Sequence, residues 1–228
     1  VPPSASSPPP APSIDRHLRE LLGAWPPSGG DIEVVASAGR TRPGWDGGIH
    51  PLMGVLTPAG GVLSVAPDHV DAVRAHLAGG GERVVLPAVI GRPQGRWIEG
   101  MYRYSTAPTD LPDGGEWYPA DSPPVPPWLR VFGGEALLAL HDGVYVAGVG
   151  LKRHDAYGWE IAVGTEPASR GRGLARRLVA QAARTVLAMG AVPTYLHAFD
   201  NVASGHVAEA AGFPDRGWRT VAVFDGQP

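Results

Sequence analysis

At 228 residues, with 43% hydrophobic and 18% charged residues, the chain is long enough for one large domain or two small ones and is globular in composition. A net charge of −3 gives no reason to expect a nucleic-acid or acidic-membrane partner, since both normally call for a basic surface. The absence of cysteine excludes disulfides, thiolate metal sites and a cysteine acyl-enzyme, and no run of about 18 apolar residues is present to span a membrane.

Residues 1–13 carry six prolines and four serines and read as a disordered tail with no apolar leader, so a cytoplasmic protein is expected. Residues 14–25 have helical spacing (Ile14, Leu18, Leu21, Leu22) that ends at Pro26-Pro27. A strand is expected over 31–37, a turn-rich stretch over 39–48 and a short strand over 62–65. Asp68 then caps a helix running to Leu77, stopped by Gly79-Gly80-Gly81. Residues 84–90 and 97–104 read as two further strands. The Pro-, Asp- and Gly-rich segment 106–127 is a boundary or a long ordered loop, so residues 14–125 form an N-terminal α+β region and residues 126–228 a second unit.

The second half alternates more plainly. Residues 135–141 and 144–152 form a hairpin around Asp142-Gly143, and 159–163 continue as a strand with Trp159, Ile161 and Val163 on one face and Glu160 and Ala162 on the other. A helix follows over 171–189, with Leu174, Leu178, Ala182, Val186 and Met189 in one stripe. Then come a strand over 192–199, a short helix over 201–211 and a last strand over 218–224. The crossover helix should set its flanking strands parallel.

The junction between strand and long helix carries the chemistry. Arg170-Gly171-Arg172-Gly173 opens the helix, where the first N–H groups lack internal partners and the helix dipole suits a pyrophosphate. Glycines let the backbone approach a ligand, and the arginines add charge for phosphate oxygens. A phosphate-binding loop of the Gly-x-x-x-x-Gly-Lys-Ser/Thr type has no lysine here. The dinucleotide fingerprint has Arg176 where its third glycine belongs.

The run Arg170-Gly171-Arg172-Gly173-Leu174-Ala175 resembles the acyl-CoA signature Gln/Arg-x-x-Gly-x-Gly/Ala of the GCN5-related N-acetyltransferase (GNAT) superfamily. Asn201-Val202-Ala203-Ser204 and Gly212-Phe213 resemble the family's second conserved region, Asn-x-x-Ser followed by Gly-Phe. The likeness covers roughly residues 128–224, and the lead-in from Glu160 to Pro167 looks most like the FR47-like subgroup. It implies an α/β GNAT acyltransferase fold, a mixed central sheet flanked by helices, with the 14–125 region completing it or forming a companion domain. It also implies two splayed strands holding the pantetheine of acetyl-CoA or another short acyl-CoA. Transfer then runs directly to a primary amine of a small molecule or protein, without a covalent enzyme intermediate or a metal. The implied CoA contacts fall on Ile161, Ala162, Val163 and Thr165, on Arg170, Gly171, Arg172, Gly173, Leu174 and Ala175, and on Asn201 and Ser204.

Two residues are singled out for catalysis. An alkylammonium must lose a proton before it attacks a thioester, and Glu160 is either that base or a carboxylate on a solvated strand face. The family's usual proton donor, a tyrosine four residues after the serine of the second region, falls on Ala208, so Ser204, on the same helical face, is the candidate replacement. His206 is expected to point roughly 160° away from that face. Tyr195, His197 and Phe199 share one strand face as core or pocket lining, and His154-Asp155 reads as structural. The loss of the tyrosine leaves a non-catalytic acyl-CoA-binding module as the alternative to an enzyme. The acceptor and the oligomeric state are not legible.

Overall fold

The computed structural model describes residues 11–224, so most of the expected tail lies outside the described residues, while Ser13 caps the first helix by accepting from the Arg16 N–H. The N-terminal half contains α1 (Ile14–Leu22), β1 (Ile32–Ala36), β2 (Leu52–Thr57), β3 (Gly60–Val65), α2 (Val70–Ala78), α3 (Leu86–Val89) and β4 (Arg96–Tyr104). After it come β5 (Glu116–Pro119), α4 (Pro127–Arg130), β6 (Glu135–His141), β7 (Val144–Arg153) and β8 (Gly158–Thr165). The chain closes with α5 (Leu174–Ala188), β9 (Val192–His197), α6 (Val202–Ala210) and β10 (Arg219–Phe224). Among the described residues ten strands make one mixed sheet in the order β1-β3-β2-β10-β4-β9-β8-β7-β6-β5. Strands from both halves of the chain therefore share it. Only the β1–β3 and β8–β9 pairs are parallel, the second across α5, as a helical crossover requires.

The sheet is covered on both faces. Leu178, Ala182, Ala183 and Val186 of α5 pack on Leu137, Val149, Ile161 and Tyr195. Leu18 and Leu22 of α1, with Trp25, pack on Val55, Val62 and Tyr102, where Leu196 also lies. Adjacent strand residues point to opposite faces, so Tyr195 and Leu196 place α5 and α1 on opposite sides of the sheet. α1 is further fixed at its start, where His17 Nδ1 lies 2.8 Å from Asp155 and Arg16 donates to the Tyr157 hydroxyl at 2.8 Å.

Several expectations need correction. Residues 84–90 are not a strand but a 3-10 turn followed by α3: Pro87 has no N–H for a ladder, and Val84 and Val85 are exposed while Leu86 and Ile90 are buried. Asp68 does not cap α2, because it lies within a 3-10 turn, Pro67–His69, that leads into the helix. β2 is absent from the sequence reading although it sits inside the sheet. The long helix begins at Leu174 rather than 171, because Gly171 and Gly173 take positive φ (76° and 73°). Met189 is exposed rather than part of the buried stripe. The Asp142-Gly143 turn has both residues at positive φ, as a two-residue hairpin needs.

The segment 106–115 is an ordered strap across α5. The Gln181 side-chain oxygen accepts from the N–H groups of Gly114 (2.8 Å) and Gly115 (3.2 Å), while its amide donates to the Gly115 carbonyl. Arg184 donates to the carbonyls of Thr109 and Leu111. A Cβ on Gly115 would stand 2.2 Å from the Leu138 carbonyl oxygen, so only glycine lets the strap lie this close. Gln181→Leu removes the acceptor of two backbone donors and should lower stability by about 1–3 kcal/mol. Hydrogen exchange should quicken at Gly114 and Gly115 more than in β6; equal protection at these sites in both proteins would show that the strap is held otherwise.

Candidate active site

β8 and β9 are hydrogen-bonded neighbours only over Gly158↔Val192, Trp159↔Pro193 and Glu160↔Thr194. Beyond that rung β8 stays paired to β7 as far as Thr165, and β9 stays paired to β4 as far as His197. The strands diverge because each follows a different partner. From Ile161 onward the β9-facing edge of β8 is open, the geometry expected of the splayed pair.

On the α5 side the opening leads into a groove of about 800 Å³. Val163, Thr165, residues 170–175, Asn201 and Ser204 all border it; Ile161 and Ala162 do not, and Ile161 is buried against α5. What Ile161 and Ala162 bring is the open backbone edge. At the head of the groove α5 starts from Gly173 in a left-handed conformation with no side-chain cap, so its first N–H groups face outward. Arg170, Arg172 and Arg176 stand exposed around it, and Arg170 Nε also donates to the Thr165 carbonyl at 3.3 Å. Arg176, in the first turn of α5, was not among the expected contacts. Uncapped amides, a positive helix end and three guanidinium groups make a site suited to a pyrophosphate.

At the other end of the groove Asn201 caps α6, its side chain accepting from the Ser204 N–H at 3.0 Å. The Ser204 hydroxyl lies 2.8 Å from the Tyr195 hydroxyl. Tyr195 is 2% exposed, yet it reaches the groove from β9. Burial raises its pKa, the bond to Ser204 and the charge of Arg103 offset this in part, and the net direction is upward. The phenol therefore keeps its proton across the neutral range. Ala208 is sealed in the core with Phe213 and offers nothing to the groove. His206, expected to point away, also borders the groove, because the groove runs along a wider face of α6 than position 208 marks.

On the α1 side of the same opening lies a second cavity, of about 570 Å³. Glu160 projects there, opposite to Ile161. It is 6% exposed, with Lys152 Nζ 2.5 Å from one carboxylate oxygen and His154 Nε2 3.1 Å from the other. Burial alone would raise its pKa, but the bond to His154 and the charges of Lys152 and His154 outweigh burial and hold it below the ordinary carboxylate value. The solvated-face alternative for Glu160 is thereby removed. Trp45, from the turn-rich stretch, places its ring 5.2 Å from Lys152 Nζ and lines the same cavity. Arg40, Trp45 and Asp46 come from a region in which the sequence reading saw only turns.

The family model of the acetyltransferase (GNAT) family matches residues 98–213, just over half of the chain. The chain belongs to the GNAT family. The match begins in β4, well ahead of the motifs that carry the sequence resemblance, and so takes in the strand that pairs with β9. A putative GNAT acetyltransferase of Novosphingobium aromaticivorans shares the fold with a TM-score of 0.52 at 22% identity, over 73% of this chain and 84% of that one. A GNAT-family acetyltransferase of Colwellia psychrerythraea gives a TM-score of 0.47 at 15% identity, over 71% and 76%. No curated protein matches the chain at a significant level. This GNAT chain has no helix, among the described residues, long and apolar enough to cross a membrane, and no cluster of three or more potential metal ligands there.

The Glu160 cluster fixes the sign of a pH effect. A carboxyl that titrates lower folded than unfolded contributes stability above its unfolded pKa, near 4, and loses it as pH falls through the folded value. Glu160→Gln should therefore cost about 1–3 kcal/mol at pH 7, where it leaves Lys152 without its counter-ion. The gap to wild type should close progressively below about pH 4. Denaturant titrations at several pH values check this, and a constant gap from pH 7 to pH 3 would mean that folding does not lower the pKa of Glu160.

Proposed function

We propose that the chain transfers an acetyl group, or another short acyl group, from CoA to a primary amine, with CoA in the groove beside α5 and the amine in the cavity beside α1. The observation that carries this reading is the end of the β8–β9 ladder at Glu160↔Thr194, which opens the sheet between the two spaces. A thioester lying along the open edge of β8 would have its carbonyl between them. Residues 126–228 then form the acyl-CoA unit, and residues 14–125 supply most of the acceptor side. The lead-in from Glu160 to Pro167 supports placing the chain in the FR47-like subgroup, and dependence on acetyl-CoA fits a cytoplasmic setting.

In the proposed mechanism the acceptor ammonium gives its proton to Glu160, directly or through water. His154 on the second carboxylate oxygen holds Glu160 in place to receive it. The free amine attacks the thioester carbon, the carbon–sulfur bond breaks as the new carbon–nitrogen bond is completed, and the second proton of the nitrogen passes through water to restore the hydroxyl pair that protonates the sulfur. The departing sulfur takes a proton from the Ser204–Tyr195 hydroxyl pair, both members of which border the groove. Ile161, Ala162, Val163 and Thr165 hold the pantetheine by their backbone. The pyrophosphate is held by Arg170, Gly171, Arg172, Gly173, Leu174 and Ala175 at the helix start, and Asn201 fixes the helix that carries Ser204.

Thiol release from acetyl-CoA over a panel of primary amines tests the activity, and absence of turnover with CoA bound would overturn it. For the CoA site, Gly173→Val forces a β-branched residue into a conformation with φ of +73° exactly where the amides must face a ligand. CoA affinity by calorimetry should fall at least about 100-fold, with circular dichroism unchanged; retained affinity would move the pyrophosphate elsewhere. For the proton donor, Tyr195→Phe should lower kcat by about 10²-fold, the lower part of the range for a positioned acid, while the KM for acetyl-CoA changes little. Ser204→Ala should have a smaller effect, since the phenol remains. A Tyr195→Phe enzyme as fast as wild type would remove the phenol from the reaction.

A further inference from the structure

The charges around the α1-side cavity do not balance. Asp46 is paired with His50 at 3.0 Å, and Glu99 accepts from the Trp97 indole at 3.1 Å and lies 3.6 Å from Arg83. Asp155 is held by His17 and by the N–H groups of Tyr157 and Gly158, and Glu160 by Lys152 and His154. These carboxylates are each neutralised from within the fold, and the one without a partner, Glu20, is exposed to solvent. The arginines in the wall are different.

Arg40 is 9% exposed and lines the cavity. Its Nη2 donates to the Leu21 carbonyl at 3.1 Å, its Nε is shut off from solvent with no hydrogen-bond partner, and no carboxylate among the described residues lies within ion-pair distance. Burial pushes its pKa down to about 10. A guanidinium with no counter-ion inside the protein is costly to keep, and at a cavity wall that cost is recovered when a ligand brings the missing charge to the part of the group that faces the cavity. Arg42, two residues on, lines the same cavity and makes no ion pair among the described residues.

We propose that the acceptor is an amino acid or a similar small amino carboxylate, whose carboxylate is held by the Arg40 guanidinium while its amine meets Glu160 across the cavity. This rests on the reading of that cavity as the acceptor site. The volume of about 570 Å³ lies within the range of small-molecule sites. Since Nη2 is already committed to Leu21, what Arg40 has left to offer suits a monoanionic carboxylate better than a phosphate dianion, which draws several cations. The amine end is met by Glu160, whose carboxylate stands in the wall of the same cavity.

The test is a comparison of α- and ω-amino acids, each with its own carboxamide, by thiol release from acetyl-CoA with full-length protein. Wild type should favour the acid over its amide by about 10- to 100-fold in kcat/KM, the size of one charge-assisted hydrogen-bonding group. Arg40→Gln should bring that ratio close to one, mainly by raising the KM for the acids. If Arg40→Gln fails to fold, the wild-type ratio still decides. Amides used as well as acids would overturn the inference while leaving acetyl transfer standing; silence from both sets alongside turnover of other amines would also overturn it. An aminophosphonate or aminosulfonate preferred over every carboxylate would overturn the choice of anion. If no amine of any kind is turned over, the acetyl-transfer reading itself falls and this inference with it.

Discussion

The whole arrangement depends on where one parallel ladder stops. β8 is bound to β7 and β9 to β4 along lengths that their mutual pairing does not match, so after Glu160↔Thr194 each strand follows its outer neighbour and the sheet opens. An open edge in the middle of a sheet leaves backbone groups in want of partners, and an extended, amide-bearing ligand arm can supply them. Both cavities owe their position to this opening. The helix α5 starts beside it with uncapped amides because the two glycines turn the chain sharply between β8 and the helix. Gly171 and Gly173 are thus part of the same construction as the strand divergence.

The α1 side of the opening is lined by charge. Glu160, Lys152 and His154 make a cluster on β7, β8 and their connection, and next to it Asp155 grips His17 of α1. α1 is therefore tied to the β7–β8 connection by the residue adjacent to His154, and the histidine ring of α1 lies 6.4 Å from that of His154. Buried ionic contacts of this kind add little net stability over apolar packing, but they fix orientation. Here they set the N-terminal half against the sheet so that Arg40 and Trp45 overlook Glu160. The single lysine of the chain is spent at this point.

The second half of the chain was legible because its elements announce themselves locally. Alternation marked β6 to β8, Asp142-Gly143 marked their hairpin, and Asn201 marked the start of α6, each through backbone chemistry confined to a few residues. The glycine–arginine run was legible as an anion site for the same reason. What stayed hidden was set by distant contacts. β2 carries a glycine and a methionine among its apolar residues and lacks alternation, since it is buried within the sheet rather than on one face. Residues 84–90 had the apolar content of a strand, but Pro87 and the need to bury Leu86 and Ile90 together decided otherwise. Of the proposed site, the acceptor side was legible only at Glu160 and His197. Arg40 and Trp45 come from one turn-rich stretch and Lys152 from β7, and only the sheet order brings them to one wall.

The Ser204–Tyr195 bond bears on how a family's chemistry persists when a motif residue is lost. Position 208 projects into the core behind α6, against Phe213, so a change there to alanine is a packing solution that leaves the groove untouched. A hydroxyl pair still stands at the groove, reached from β9 instead of from the helix. Proton transfer to a departing sulfur needs a donor at the right distance with its proton still on; it places no demand on which element carries the donor. Burial meets the second condition at Tyr195 by raising its pKa, and the Asn201-capped turn of α6 meets the first by fixing Ser204 against it. On the proposed mechanism the missing tyrosine is therefore no argument against catalysis, because the strand face that the sequence left divided between core and pocket serves as both.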